Sequence, residues 1–176
     1  MTRVFLVGFM GAGKSTIGPL LSVRLEWDFV DLDQDIEAFA GFPIRDIFET
    51  QGEDYFRSLE YAALMGLRQR QHCVVALGGG AFVSGRNRDL VKELGCSVFL
   101  DCPLERILTR CPMDGSRPLL QDRSKVEALY RSRLPFYLTS DLRVDVATRS
   151  PEEISDVILQ HVLGHPHLKS EASPKP

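Results

Sequence analysis

Residues 8–16, GFMGAGKST, have the composition and spacing of a loop that binds the phosphates of a nucleotide. They follow an apolar run at 4–7 and precede a helical pattern, which is the order of strand, glycine-rich turn and helix that such a loop requires. Backbone N–H groups of the turn can face phosphate oxygens, and the helix N-terminus adds its positive dipole end. Lys14 supplies a charge for the β- and γ-phosphates, and the Ser15 hydroxyl can bind Mg²⁺.

A turn that merely links a strand to a helix is the alternative for this loop. It is disfavoured because every position of the motif agrees with phosphate binding. The motif predicts a bound nucleotide and does not specify a reaction. The predicted nucleotide-binding residues of the loop are Gly11, Ala12, Gly13, Lys14, Ser15 and Thr16.

Two carboxylates, Asp31 and Asp33, stand at the end of a second predicted strand. Alternation along an extended segment would place both on one side, where one could reach Mg²⁺ and the other a substrate hydroxyl. A carboxylate that orients a hydroxyl or accepts its proton has the role of the catalytic Asp of protein kinases. The alternative is that these acids cap the helix that begins near Gln34.

Three consecutive glycines at 78–80 and several scattered arginines are the remaining candidates for an acceptor site. Glycines directly after a buried strand allow a ligand to approach bare backbone, although a tight turn would use the same residues. Arginines can pair with a carboxylate or stabilise a transferring phosphoryl group, although most arginines are solvated surface residues. The candidates are Arg57, Arg110, Arg117 and Arg133.

Apolar patterns predict strands and helices in alternation, which is typical of a parallel sheet wrapped by helices. The predicted strands are 4–7, 28–31, 74–77, 97–101 and 142–146. The first six predicted helices begin near Lys14, at Gln34, at Pro43, at Gly52, near Arg86 and at Pro103, and the one from Gly52 runs to about residue 71. A seventh, around 126–130, is predicted to end before Pro135, and an eighth lies around 154–162. The sequence therefore predicts an α/β fold of three layers with a five-stranded parallel sheet.

Length and composition limit the classes of partner. A chain of 176 residues fits one domain at 1–163, and the unpatterned segment 164–176 is expected to be a disordered tail. A net charge of −3 gives no broad basic face, so nucleic-acid binding is not expected. The first apolar run breaks at Gly8, too early for a signal peptide or a membrane span. No surplus apolar helix face stands out, so we expect a monomer.

The four cysteines indicate a reducing compartment. Cys73, Cys96, Cys102 and Cys111 have no spacing typical of a metal site or a redox motif. We expect them to be reduced thiols in a cytoplasmic protein.

The span from residue 4 to about 163 resembles the shikimate kinases through six motifs in order. They are GFMGAGKST at 8–16, D-x-D at 31–33, F-x3-GE-x2-FR-x2-E at 48–60, GGG at 78–80, RPLL at 117–120 and R-x-P-x-Y at 133–137. The resemblance implies a P-loop fold of the nucleoside monophosphate kinase type, with a substrate-binding segment at about 33–60 and a lid at about 111–123. It implies transfer of the ATP γ-phosphoryl group, with Mg²⁺, to the 3-hydroxyl of shikimate on the path to chorismate and the aromatic amino acids.

The resemblance also implies roles for residues on the ATP side. Lys14 is similar to the lysine that binds the phosphates, and Ser15 to the Mg²⁺ ligand. Asp31 resembles the acid that holds the metal through water. Arg117 resembles the lid arginine near the transferred phosphate, and Arg110 the arginine that lies over adenine.

On the acceptor side, the resemblance makes Asp33 the residue that binds the shikimate hydroxyls and the candidate base. Arg57 and Arg133 match the arginines that bind the carboxylate. Gly78, Gly79 and Gly80 match the backbone that contacts the ring hydroxyls. Glu60 lies one helical turn from Arg57, and we infer from this spacing that it orients the guanidinium.

Three points stay open at this stage. Asp101, after the apolar run 98–100, is a second candidate for the acid near the metal, although the family pattern favours Asp31. Pro19 inside the first helix and Pro112 in the lid depart slightly from the pattern. A kinase that acts on gluconate or another polyol acid, or a nucleotide-dependent switch without the chemistry, is the rival function.

Overall fold

The computed structural model describes residues 2–110 and 122–164, apart from the side chain of Arg110. Within these residues the strands are β1 (Arg3–Val7), β2 (Asp28–Asp31), β3 (Cys73–Ala76), β4 (Cys96–Asp101) and β5 (Leu142–Asp145). The helices are α1 (Lys14–Leu25), α2 (Leu32–Ala40), α3 (Ile44–Gly66), α4 (Gly85–Leu94), α5 (Leu104–Arg110), α6 (Arg123–Tyr137) and α7 (Pro151–Gly164). Short 3₁₀ segments cover Leu67–Gln69 and Ala81–Val83.

The five strands form one parallel sheet in the order β2-β3-β1-β4-β5. β1 is central and buried along its whole length, which explains why residues 4–7 are all apolar. Helices flank the sheet; α1 packs against β3 and α7, and α2 packs against α3. The α/β fold with a five-stranded parallel sheet is therefore confirmed.

The register of the sheet brings three turns to one edge. Leu6 of β1 pairs with Ala76 of β3, and Ala76 pairs with Asp31 of β2. The carboxyl ends of these strands are therefore level, and the turns that follow them emerge side by side. Ligands of open parallel sheets bind at this edge.

The end of α6 differs from the prediction that it stops before Pro135. The helix continues to Tyr137, and the Leu138 N–H donates to the Leu134 carbonyl at 3.0 Å. Pro135 lies in the last turn, where the missing N–H removes only one bond of the helix and the following bonds can still form. This continuation matters for the site, because it keeps Arg133 and Tyr137 on one helix.

The α3 segment contains the break that the sequence predicts at Gly52. Its φ of 81° and ψ of 173° lie outside the helical region and are accessible mainly to glycine. The regular helix ends at Gly66 instead of about residue 71, because a 3₁₀ segment takes over at Leu67–Gln69. Pro19 is accommodated inside α1, in its second turn.

Parts of the predicted organisation fall outside the described residues. The lid predicted at 111–123 lies outside them except for Asp122, which caps α6, and Arg123. The tail predicted at 164–176 lies outside them except for Gly164, which ends α7. No helix in the described part of the chain is long and apolar enough to cross a membrane.

Candidate active site

The glycine-rich loop joins β1 to α1 and is folded around the ammonium group of Lys14. Gly13 caps α1 with a φ of 101°, a conformation that a side chain would strain. Lys14 Nζ donates to the carbonyl oxygens of Gly8, at 2.7 Å, and Phe9, at 3.0 Å. Phosphate oxygens at the N-terminus of α1 would meet both this charge and the N–H groups of the first helical turn.

A cavity of about 880 Å³ opens at the loop and follows the carboxyl edge of the sheet. Four parts of the chain line it: the loop with the start of α1, the acids at the end of β2 and the start of α2, the chain that follows β3, and the chain from the end of β5 into α7. The lining residues that bear on function are Gly11, Ala12, Gly13, Lys14, Ser15, Thr16, Asp31, Asp33, Gly79, Val146, Arg149, Pro151 and Ile154. The structure thus brings together the loop, both acids and Gly79.

Asp31 is the N-cap of α2. Its Oδ1 accepts hydrogen bonds from the N–H groups of Asp33, at 3.1 Å, and Gln34, at 3.3 Å. The capping alternative is therefore correct for Asp31, while Asp33 lies inside the first turn. The prediction that α2 begins near Gln34 is wrong, because this cap starts the helix at Leu32.

The early start of α2 also changes the reason why both acids face the cavity. The prediction assumed an extended segment, but the chain is already helical at Leu32. Leu32 is buried with 1% exposure, and both Asp31 and Asp33 line the cavity beside Ser15. Asp31 and Asp33 therefore lie at the same cavity, as expected, but not because they alternate along an extended strand.

Asp33 carries a carboxyl group in an unusual environment. Burial raises its pKa, and the neighbouring charges of Asp31 and Glu37 act in the same direction. Lys14 and Arg57 oppose this shift without cancelling it. A carboxylate with a raised pKa beside a phosphate-binding loop is a stronger base than an exposed one, which suits it to accept a proton from a hydroxyl.

The three glycines at 78–80 each make room for a different charged side chain. A Cβ atom at Gly78 would overlap the carboxylate of Asp33. A Cβ atom at Gly79 would lie 3.2 Å from Nη1 of Arg133, and one at Gly80 would lie 2.8 Å from both terminal nitrogens of Arg57. A side chain at any of these glycines would therefore crowd a carboxylate or one of two guanidinium groups that converge on the turn.

Arg57 is held by carboxylates on its own helix. Its guanidinium donates hydrogen bonds to Glu60 at 3.1 Å and to Glu53 at 3.0 Å. The contact between Glu60 and the Arg57 guanidinium that the helix spacing predicts is therefore present. Glu60 is 1% exposed, and Asn87 of α4 donates to its Oε2 at 3.3 Å and to the Ala81 carbonyl at 2.9 Å. Burial raises the pKa of Glu60, although Arg57 counteracts it.

Arg133 approaches the turn from α6. Its guanidinium lies over the ring of Phe9, 5.8 Å from the centroid, and Phe9 belongs to the phosphate-binding loop. Arg57 and Arg133 are not among the residues that line the 880 Å³ cavity; they reach the same turn through Gly80 and Gly79. Two guanidinium groups therefore lie against the glycine turn whose Gly79 lines the phosphate site.

The competing acid, Asp101, is engaged elsewhere. Its Oδ2 bonds Nε of Arg143 at 2.8 Å, and Asp101 does not line the cavity. Asp31 does line it, next to Ser15. No cluster of three or more His, Cys, Asp or Glu in the described ranges could hold a metal alone. One carboxylate and one hydroxyl still fit Mg²⁺, because this ion usually takes few protein ligands and completes its shell with phosphates and water.

Some site residues were missed from sequence, and others fall outside the described part. Val146, Arg149 and Pro151 line the far end of the cavity, and the carboxyl end of β5 could have indicated them. Asn87 gave no sequence indication, because a single Asn on a helix has no motif. Arg117 and the side chain of Arg110 lie outside the described residues, so their predicted places stay predictions.

The strand order, the phosphate-binding loop before α1 and the acids beside it define a P-loop phosphotransferase of the nucleoside monophosphate kinase type. A sequence model described as Shikimate kinase matches residues 10–163. A shikimate kinase from Persephonella marina is 40% identical over 163 residues, which cover 92% of this chain and 99% of that protein. One from Geobacter sulfurreducens is 45% identical over 166 residues, covering 93% and 92%. The chain belongs to the shikimate kinase family and is therefore an enzyme, a kinase that uses ATP.

A solved structure agrees with this assignment. A shikimate kinase from Acinetobacter baumannii, in complex with shikimate, superimposes with a TM-score of 0.86 and 36% identity. The match covers 93% of this chain and 94% of that one.

Proposed function

We propose that the chain transfers the γ-phosphoryl group of ATP to the 3-hydroxyl of shikimate, forming ADP and shikimate 3-phosphate. The observation that carries this proposal is the convergence of Asp33, Arg57 and Arg133 on the glycine turn 78–80 beside the phosphate-binding loop. Shikimate offers a carboxylate and ring hydroxyls, and the turn offers two guanidinium groups and a carboxylate. The product would continue toward chorismate and the aromatic amino acids.

The loop and Lys14 bind and orient the phosphates in this proposal. The N–H groups of residues 11–16 and the Lys14 ammonium neutralise their charge, and little covalent chemistry is required of the protein. Ser15 and Asp31 would hold Mg²⁺ against the phosphates, Asp31 through water. When bound, Mg²⁺ supplies charge neutralisation on the transferring group. The base and ribose would lie against the cavity residues Val146, Arg149 and Pro151.

Asp33 is the proposed base. It orients the 3-hydroxyl toward the γ-phosphate and accepts its proton as the new P–O bond forms. Its raised pKa follows from burial and from the charge of Asp31. Arg57 and Arg133 bind the carboxylate at the other end of the ring, which fixes the hydroxyl in line with the donor. Arg117, near the transferred phosphate, and Arg110, over adenine, stay predictions from the sequence.

The test is ADP release measured with shikimate, gluconate and nucleoside monophosphates as acceptors. We expect turnover that depends on shikimate and on Mg²⁺. Turnover with gluconate alone would support the polyol-acid rival, which has less use for Arg57, Arg133 and Asp33 together. ATP binding without turnover on any acceptor would support the nucleotide switch. We further propose that the protein is cytoplasmic, which subcellular fractionation tests, and that it is a monomer, which sedimentation tests. We also propose that residues 33–60 form the substrate-binding segment, and hydrogen exchange with and without shikimate tests this.

A further inference from the structure

Tyr137 is a buried tyrosine whose hydroxyl the reaction does not use. It lies four residues after Arg133, on the same face of α6, and is 1% exposed. Its ring packs on Phe99, with 5.3 Å between centroids, and its hydroxyl donates a hydrogen bond to the Gly79 carbonyl. Phenylalanine would fill the same space, so the packing alone does not explain the hydroxyl.

The hydroxyl lies where the two halves of the site meet. A Cβ atom at Gly79 would be 3.2 Å from Arg133 Nη1, 3.7 Å from the Met10 nitrogen and 3.8 Å from the Tyr137 oxygen. Gly79 is thus bounded by the phosphate-binding loop and by two side chains of α6. Burial raises the pKa of Tyr137 to about 12, although the charge of Arg133 opposes this shift. The phenol is therefore a permanent donor at neutral pH.

We propose that Tyr137 is a positioning residue for the acceptor: its hydroxyl holds the Gly79 carbonyl, and with it the turn against which the Arg133 guanidinium lies, in the arrangement that binds the carboxylate of the substrate. The inference rests on the proposed function, in which Arg133 binds that carboxylate. An arginine has several rotatable bonds, and fixing them before the substrate arrives lowers the cost of binding. Removing the hydroxyl also leaves the Gly79 carbonyl without this donor.

Tyr130 provides a matched control on the same helix. Its hydroxyl donates to the Cys102 carbonyl at 3.3 Å, and its ring meets Phe9 edge-on with 5.4 Å between centroids. Tyr130→Phe and Tyr137→Phe therefore each remove one hydroxyl that donates to a backbone carbonyl. Only the second carbonyl belongs to the glycine turn.

The experiment compares the KM values of both variants for shikimate and for ATP. Tyr137→Phe is expected to raise the KM for shikimate about fivefold to tenfold, the scale of one hydrogen bond, and to change the KM for ATP by less than about twofold. Tyr130→Phe is expected to leave both values unchanged. An equal rise in both KM values, or an equal effect of the two substitutions, would overturn the inference.

A second measurement separates positioning of Arg133 from a general loosening of the site. The methyl ester of shikimate lacks the charged carboxylate, so the loss of kcat/KM in Tyr137→Phe should be larger for shikimate than for the ester. The same loss on both substrates contradicts a role through Arg133. Wild-type enzyme that does not phosphorylate shikimate contradicts the proposed function, whereas wild-type turnover with an unchanged KM in Tyr137→Phe contradicts this inference alone.

Two unnatural residues keep the inference testable if Tyr137→Phe does not fold. 4-Fluorophenylalanine at position 137 has nearly the shape of tyrosine but no donor, and 4-aminophenylalanine keeps an N–H donor at the same reach. We expect the amino variant to keep a KM for shikimate close to that of wild type, and the fluoro variant to show the raised KM expected for Tyr137→Phe. Equal KM values in the two variants would overturn the inference.

Discussion

Asp33 combines contact with the glycine turn and a carboxyl group whose pKa burial raises. If it is the base, Asp33→Asn should lower kcat by about 10²- to 10⁴-fold, the usual contribution of general-base catalysis. Asp35→Asn is the control, because Asp35 lies on the same helix and pairs with Arg70 at 3.3 Å, away from the cavity. Near-normal turnover in Asp33→Asn, measured by ADP release, would exclude Asp33 as the base.

Arg133 is expected to act on the acceptor alone. Arg133→Ala should raise the KM for shikimate by about 10- to 100-fold, since a charged hydrogen bond is worth about 1.5–3 kcal/mol, and it should leave the KM for ATP nearly unchanged. Arg131→Ala is the control for loss of an arginine from this helix, because Arg131 is exposed and pairs with Glu127 at 2.6 Å. It should leave the KM for shikimate unchanged. Comparable rises in both KM values would argue against binding of the carboxylate.

At the scale of elements, we expect a substitution in the glycine turn to weaken substrate binding more than it disturbs the backbone of the turn. A Cβ atom at Gly80 would lie 2.8 Å from two nitrogens of Arg57, which is the flexible end of that side chain. Gly80→Ala should therefore displace Arg57 and raise the KM for shikimate about tenfold, equivalent to about 1.4 kcal/mol. The backbone of the turn should keep its place, because the atoms that must move are the end of a flexible side chain.

Gly66→Ala is the matched control for this substitution. Gly66 is helical, with nothing within 4 Å of its Cβ position, so alanine there should stabilise the chain by about 0.5–1 kcal/mol and leave the KM unchanged. Thermal unfolding and KM measured on both variants test the pair. An unchanged KM in Gly80→Ala would show that Arg57 does not need its observed place.

Helices and strands could be predicted from the sequence wherever the periodicity of apolar residues determines them. The predictions of helix boundaries failed where a single capping side chain or the last turn of a helix sets the boundary. The apolar runs located all five strands of the described sheet within about two residues. The start of α2 was missed because the Asp31 side chain caps it, and the end of α6 because the last turn tolerates Pro135. The role of Glu60 could be predicted because i,i+3 spacing is local, whereas Asn87 reaches it from 27 residues away.

At the scale of the whole molecule, the site opposes stability through Asp33, because burial and the charges of Asp31 and Glu37 raise the pKa of its carboxyl above the ordinary value. A carboxyl whose pKa is higher in the folded chain than in the unfolded chain destabilises the fold when it is ionised. Asp33→Asn should therefore raise Tm by a few degrees at pH 7. The gain should shrink as the pH falls through the folded pKa and vanish below the ordinary value of 3.8. Tm values for wild type and variant between pH 3 and pH 8 test this, and a lower Tm at pH 7 contradicts it.

The turn at 78–80 has a consequence for how this family could change its acceptor. At each glycine one charged side chain lies within about 3.2 Å of the position that a Cβ atom would take: Asp33 at Gly78, Arg133 at Gly79 and Arg57 at Gly80. Each glycine and its partner are therefore best substituted together. Enlarging one glycine alone displaces its partner, and shortening one partner alone leaves a gap against bare backbone. Redesign for a different acceptor should therefore proceed by compensating pairs, for example Gly80→Ala together with replacement of Arg57 by a smaller residue.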